Sequence, residues 1–266
     1  MQIAFLILLF IIGSCFGSFL CCQVRRLHLR ETTKGKKKLS SRSVCLSCKY
    51  KLKWYDNVPI ISWLAFRGKC RKCHKKIGLA EILSEVGMGL AFLGLGTTLD
   101  IVLASSFEWS IFAVTIVLAL FLGFLAIYDG LYGELPMLFL ILAIISAAIL
   151  MLLKICFALS INGLSSSIFL NPLGSVALLG GLYLVLYLVS KGEWVGDGDW
   201  LLGTALGLAL ASPWLALITL FISNTLACIV MAPAVKKSKD KHVHFGPFMI
   251  IGFAIATIFA KFFVML

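Results

Sequence analysis

Apolar residues fall into eight runs along the chain, approximately 3–22, 80–99, 107–127, 137–157, 172–190, 200–211, 213–233 and 247–265. A helix that is apolar on all faces is surrounded by lipid or by other helices. About 20 such residues span a bilayer, and every run except the sixth approaches that length. The pattern predicts an all-α membrane protein with about eight transmembrane helices. It divides the chain into a first helix over 1–22, a polar segment over 23–78 and a polytopic region over 79–266. Residues 158–175, with Ser165, Ser166, Ser167, Asn171 and Pro172, read as an external loop. No internal repeat is evident.

Composition supports the same class. Apolar residues make up 61% and charged residues 14%, against about 45–50% and about 25% in soluble domains. The mean hydropathy of +1.02 excludes a soluble fold. No basic residue precedes the first run, whereas Arg25 and Arg26 follow it. A retained anchor with its N-terminus outside is therefore expected, not a cleaved signal.

Charge then orients the chain. Of 24 Lys and Arg, 17 lie between residues 23 and 78 with only two acids, Glu31 and Asp56, giving this segment +15. With the N-terminus outside, the inside loops are 23–78, 128–136, 190–199 and 234–246, and they hold 22 of the 24 basic residues. The positive-inside rule thus predicts a multi-pass protein of the cytoplasmic membrane with the basic segment in the cytoplasm. The basic stretches Lys34 to Lys38 and Arg67 to Lys76, and Lys236, Lys237, Lys239 and Lys241, read as contacts with anionic lipid in preference to nucleic acid.

Nine cysteines are present. Cys15, Cys21, Cys22, Cys156 and Cys228 sit in apolar runs and read as small buried hydrophobes. Cys45-Leu-Ser-Cys48 and Cys70-Arg-Lys-Cys73 are different. Each pair offers two thiolates from one tight turn, and two such turns close a tetrahedral site. A cytoplasmic location disfavours disulfides, so a structural Zn²⁺ on Cys45, Cys48, Cys70 and Cys73 is expected, with a redox pair as the rival. Four thiolates leave no open position for chemistry. His74 is a substitute ligand or a surface residue.

Two acids occupy the ends of apolar runs on the predicted cytoplasmic side. Asp129 closes Gly123-Phe-Leu-Ala-Ile-Tyr-Asp129, and Asp199 lies in Gly196-Asp197-Gly198-Asp199 at the start of another run. Ionisable groups at membrane depth point to function. Loop or helix-capping acids exposed to water fit the residues equally well. If the pair meets, one carboxylate serves as base on a water and the other as acid. Gly196 and Gly198 would then supply unusual backbone conformations and room for a substrate strand. Asp197 is the near alternative to Asp199. His28, His74, His242 and His244 all lie in basic loops and form no catalytic arrangement.

At these residues the chain resembles the bacterial prepilin peptidases, membrane aspartic peptidases of the Gly-x-Gly-Asp type. Gly17-Ser-Phe-Leu20 with Arg26-Leu27 is similar to that family's opening signature. Asp56-Asn-Val-Pro-Ile-Ile-Ser-Trp63, followed by Arg67-Gly-Lys-Cys-Arg-Lys-Cys73, resembles its cysteine-rich cytoplasmic loop. Glu85 falls where the family has a Glu opening its second helix, and Asp129 with Pro136 and Gly196 to Asp199 resemble its two aspartate motifs. The resemblance implies cleavage of type IV prepilin or pseudopilin precursors by Asp129 and Asp199, with Gly196 and Gly198 supporting the loop. It implies zinc on the four cysteines, and methylation of the new N-terminus with S-adenosylmethionine. Cys21 stands where the family has Asn, His28 where it has Pro, Leu201 where it has Lys, and Met137 where it has a polar residue. The Cys21 departure and the lack of a cofactor-binding glycine loop leave methylation resting on the resemblance alone. Glu134, Glu193 and Asp197 either attract a basic leader or are simply solvated. The rival readings are a small transporter and a non-enzymatic assembly platform using the zinc loop.

Overall fold

A computed structural model describes residues 2–33, 44–45, 47–99, 104–163, 165–193, 195–235 and 245–264. The lysines at 34 and 36–38, at 236, 237, 239 and 241, and both His242 and His244 lie outside the described residues. Among those described, structure is helical apart from two isolated bridges, Val44 with Lys51 and Lys69 with Lys76. The chain forms two compact units, Met1–Gly96 and Thr97–Leu266.

In the first unit, α1 runs Gln2–Thr32, a 3₁₀ turn covers Trp54–Asn57, α2 is the short Ile61–Ala65, and α3 is Leu79–Thr97. Helix α1 continues ten residues past its predicted end, because Arg25, Arg26 and Leu27 are good helix formers. Helices α1 and α3 meet through small residues. A Cβ on Gly13 would lie 2.5 Å from the Met88 carbonyl oxygen, and one on Gly89 would lie 2.5 Å from Ser14 Oγ. Gly17 abuts the backbone of Ser84 and Glu85 in the same way. The Gly13-x-x-x-Gly17 spacing is the small-residue seam that lets helices approach closely in lipid. Cys21 is buried on this seam, as expected, whereas Cys15, Cys156 and Cys228 are exposed. Those thiols lie on exposed helix faces and do not fill a core.

The second unit holds α4 Ser106–Tyr132, α5 Met137–Asn162, α6 Ser167–Val176, a π-helical turn Ala177–Gly181, α7 Leu182–Ser190, α8 Asp197–Leu210, α9 Pro213–Val235 and α10 Gly246–Val264. The segment from α6 through α7 is one continuous, irregular helix. With it counted once, each of the eight predicted segments is helical. The loop expected over 158–175 is shorter than predicted, since α5 runs to Asn162 and α6 begins at Ser167. Pro172 sits inside α6, where neighbouring helices tolerate it. Among the described residues six helices are long and apolar enough to cross a membrane, and the chain is a multi-pass membrane protein.

Helix α8 is not among those six. Its 14 residues extend about 21 Å, short of the ~30 Å hydrocarbon core. Leu202, Ala205, Leu206 and Ala209 are each buried to within 1%, so α8 is the inner element of this unit. Its neighbours contribute Leu125 from α4, Leu140 and Ala143 from α5, Leu179 from the π turn, Ala216 from α9 and Met249 from α10.

Candidate functional site

Asp129 lies in the last turn of α4. The helix ends one turn later because Gly133 takes a left-handed conformation (φ 72°) and donates its N–H to the Asp129 carbonyl. This αL cap is the common way to stop a helix with glycine. The Asp129 side chain is 5% exposed, and its Oδ2 accepts a 2.9 Å hydrogen bond from the backbone N–H of Gly246. Gly246 opens α10, whose first N–H groups lack intrahelical partners. A carboxylate there also complements the helix dipole.

Asp199 is 9% exposed and occupies the third position of α8, where its Oδ2 accepts a 3.1 Å bond from the Gly196 N–H. The capping reading is thus half right. Asp199 does cap its helix, yet it is buried. Asp197, two residues earlier, is exposed, as are Glu134 and Glu193. Burial therefore separates Asp199 from its near alternative.

The two motifs meet. A Cβ on Gly198 would stand 2.8 Å from Leu135 Cδ1, and Leu135 belongs to the turn that follows Asp129. Asp199 lies within electrostatic range of Asp129 and Asp197. The glycines act differently from expectation. Gly196 has φ −71° and ψ 156°, open to any residue, and Gly198 is helical. Gly198 is needed for close approach to Leu135, and no unusual backbone conformation is involved.

Sequence reasoning missed Gly246 and Tyr183. Gly246-Pro247 is a helix-start signal, but nothing in the sequence links it to a residue 117 positions earlier. Tyr183 is 3% exposed, and its ring lies 5.4 Å from that of Phe245, the neighbour of Gly246.

In the first unit the four predicted ligands converge. Cys45, Cys48, Cys70 and Cys73 place their sulfurs within 4.8 Å of one another. The Cys45–Cys73 and Cys48–Cys70 sulfurs are each 3.9 Å apart. A tetrahedron of thiolates at about 2.3 Å from zinc has S···S edges of about 3.8 Å, so the donor set fits that ion. Disulfides, at about 2.05 Å, are excluded.

The two turns that supply these ligands repeat one another. Cys45 N–H donates to Tyr50 O and Lys49 N–H to Cys45 O; Cys70 N–H donates to Lys75 O and His74 N–H to Cys70 O. Lys49 (φ 59°) and His74 (φ 55°) hold equivalent left-handed positions, and the bridges Val44–Lys51 and Lys69–Lys76 flank them equivalently. This local repeat is faint in the sequence, where only the two cysteines and the lysine pair Lys51 and Lys76 coincide. His74 is exposed and stands outside the sulfur cluster. Backbone N–H groups of Cys73 and then Lys72 lower the Cys70 thiol to about 6, whereas Cys48, despite the Tyr50 backbone bond, is pushed up to about 11 by burial and the neighbouring cysteines.

Beside this cluster lies a cavity of about 710 Å³, lined by residues of α1, the cysteine turns, α2 and the start of α3. Asp56, Trp63 and Glu81 line it, and each carries a buried polar atom without a partner among the described residues: Asp56 Oδ1, Trp63 Nε1 and Glu81 Oε2. Arg25 fixes Glu81 through its other oxygen at 2.6 Å. Arg71 approaches Asp56 Oδ1 only to 3.6 Å. Glu85, 7% exposed, accepts a 2.7 Å bond from the Ile60 N–H.

Comparison with known proteins agrees with this architecture. Residues 11–99 match the model of the bacterial peptidase A24 N-terminal domain. The prepilin leader peptidase/N-methyltransferase of Myxococcus xanthus is 39% identical over 88 residues, covering 33% of this chain and 25% of that protein. The protein of the same name from Neisseria gonorrhoeae is 29% identical over 220 residues, covering 81% of this chain and 70% of the relative. The chain is thus similar to bacterial prepilin leader peptidases, most densely over residues 11–99. The prepilin peptidase of Vibrio cholerae, 38% identical over 89 residues, is matched over 35% of its length, so two of these three relatives are spanned for only a quarter to about a third. The 220-residue Neisseria match is too long for the first unit alone and carries the family likeness into the unit that holds Asp129 and Asp199. No solved structure matches the chain.

Proposed function

We propose that this chain is a membrane-embedded aspartic endopeptidase that removes the leaders of type IV prepilin or pseudopilin precursors. The observation that carries this reading is the burial of Asp129 and Asp199 in one packed unit, within electrostatic range, each held by one backbone N–H at a helix start. One carboxylate takes a proton from water as it attacks the scissile carbonyl, and the other donates a proton to the carbonyl oxygen. As the tetrahedral intermediate collapses, the first carboxyl passes the water's proton to the amide nitrogen and the second takes back the proton on the carbonyl oxygen, so the amine of the mature segment leaves with no covalent intermediate.

A leader of this class is basic and precedes an apolar helix, so its cleavage point lies at the cytoplasmic interface. The distribution of Lys and Arg supports placing both aspartates on that side. The basic segment would rest on anionic lipid; nucleic acid is not needed to explain it. The transporter reading would require polar groups spread through the apolar helices, whereas both aspartates stand at helix ends.

The cavity supports a second activity, methylation of the new N-terminus. S-adenosylmethionine supplies an electrophilic methyl group when bound. Its amino and hydroxyl groups are donors suited to Asp56 Oδ1 and Glu81 Oε2, and its ring nitrogens are acceptors suited to Trp63 Nε1. The four cysteines, holding structural zinc, would brace one wall, since Cys45 and Cys70 line the same cavity.

Co-expression with a prepilin tests both activities through leader removal and the mass of the mature N-terminus. Asp129→Ala and Asp199→Ala should each abolish cleavage in inserted protein. Continued cleavage by either variant rejects the peptidase assignment, and intact pilus assembly in both supports the platform instead. Solute flux in vesicles without processing supports the transporter. S-adenosylmethionine should bind the purified protein and bind Asp56→Asn at least tenfold more weakly; equal binding removes the cavity assignment.

A further inference from the structure

The buried phenol of Tyr183 has no role in the mechanism above. Its place follows from how the π turn meets α8. A Cβ on Gly207 would lie 2.8 Å from Val176 Cα, and one on Gly203 would lie 2.6 Å from the Leu179 carbonyl oxygen. A Cβ on Gly180 would lie 3.1 Å from Thr204 Cα. As α8 is followed backwards from 207 to 203, its partner advances from 176 to 179 and 180. The two segments are antiparallel with backbones in contact. The next step, four residues on along each, sets Asp199 opposite Tyr183. Electrostatic interaction between the two groups agrees with this register. The π turn matters here, because one inserted residue rotates the following side chains by about 100° about the helix axis.

The phenol proton has a defined direction. Asn224 Nδ2 donates to the Leu220 carbonyl at 2.8 Å and to Tyr183 Oη at 3.4 Å. An amide oxygen 2.8 Å from the Leu220 carbonyl oxygen would be repelled, which fixes the amide with its nitrogen on that side and toward the phenol. Tyr183 Oη is therefore an acceptor from Asn224, and its own hydrogen points elsewhere. Among the described residues nothing accepts that hydrogen. A buried donor without an acceptor, beside a carboxylate of the proposed pair, is arranged for an oxygen that arrives with substrate.

We infer that Tyr183 is a catalytic hydrogen-bond donor to the scissile carbonyl oxygen, and that Asn224 is the positioning residue that directs it. The inference rests on the peptidase reading. Tyr183 keeps its proton throughout. As water adds to the carbonyl carbon, negative charge builds on the carbonyl oxygen and the bond from Tyr183 strengthens, which accelerates the step.

Tyr183→Phe keeps the ring against Phe245 and removes only the hydroxyl, the donor together with the long bond it accepts from Asn224. Purified variants should be assayed on a prepilin peptide, alongside inhibition by a peptide carrying a hydroxyl at the tetrahedral centre. Removing one such donor costs about 10²-fold in kcat, with KM changed by less than about twofold and the inhibitor weakened in parallel. Asn224→Asp places an acceptor against the phenol and draws its proton away. It should lower kcat in the wild-type background and have no further effect on Tyr183→Phe. Wild-type kcat in Tyr183→Phe, with Asp199→Asn inactive, overturns this inference alone. Equal losses from Asn224→Asp in both backgrounds overturn the positioning role. Cleavage by Asp199→Asn overturns the peptidase reading and this inference together.

Discussion

The backbone N–H of Gly246 donates to Asp129 Oδ2 at 2.9 Å, joining the first turn of α10 to the last turn of α4. The bond fixes one oxygen of a buried carboxylate and offers it a partial positive charge from the helix start. No side chain fits at 246, because a Cβ there would lie 2.6 Å from Oδ2. Gly246→Ala should displace the carboxylate and lower kcat/KM by at least tenfold. Insertion and helical content should stay unchanged, as read by membrane yield and circular dichroism. Wild-type cleavage by this variant would show that the position of Asp129 does not matter.

Capping and chemistry at Asp199 can be separated. Asparagine still accepts the Gly196 N–H, whereas alanine cannot. Loss of a helix cap costs about 1 kcal/mol. Asp199→Ala should therefore lower thermal stability and abolish cleavage, while Asp199→Asn abolishes cleavage at nearly native stability. If capping were the whole role, Asp199→Asn would remain active. Asp197 is exposed, and Asp197→Ala should change cleavage by no more than about twofold, the usual range for surface substitutions.

The sulfur geometry of the cysteine turns implies one zinc per chain, measurable by mass spectrometry of metal in protein never exposed to chelator. Metal affinities of structural zinc sites reach about 10–16 kcal/mol in small peptides, so such a site dominates the folding of a short loop. Cys48→Ser should lose the metal and open the segment over 44–77 to limited proteolysis. The helices of the second unit should remain protected. A metal content well below one, with an intact loop, would leave the four thiols without an explanation.

Much of this fold could be read from the chain because hydrophobic length alone predicts helices in lipid. All eight runs are helical, and the cysteine spacing located four ligands that meet in space. The misreadings have physical causes. Ser165, Ser166, Ser167 and Pro172 resemble loop residues in water, but in a membrane neighbouring helices absorb a proline, so α6 already begins at Ser167. Gly196 and Gly198 suggested special backbone angles, yet helical Gly198 serves contact with Leu135. Tyr183 and Gly246 carried no local signal, since their significance comes from helices that pack across long sequence separations.

Glycine close to lipid has opposite values at two sites on α3 and its partner. Gly87 has nothing within 4 Å of a would-be Cβ. Alanine there lowers the entropy of the unfolded chain and favours helix by up to about 1 kcal/mol. Gly17 abuts the Ser84 and Glu85 backbone, which cannot move aside without shifting α3. Overpacking of this kind costs about 1–3 kcal/mol. Gly17→Ala should lower the midpoint of thermal unfolding in detergent, and Gly87→Ala should leave it unchanged or raise it. The contrast matters for function because Glu85 stands at the Gly17 contact and Glu81 one turn before it, and both line the cavity, Glu81 paired with Arg25 and Glu85 holding the Ile60 N–H. A shift of α3 should therefore also weaken S-adenosylmethionine binding in Gly17→Ala, with Gly87→Ala binding as wild type. Equal stability and equal binding in the two variants would mean that the α1–α3 seam does not set the cavity wall.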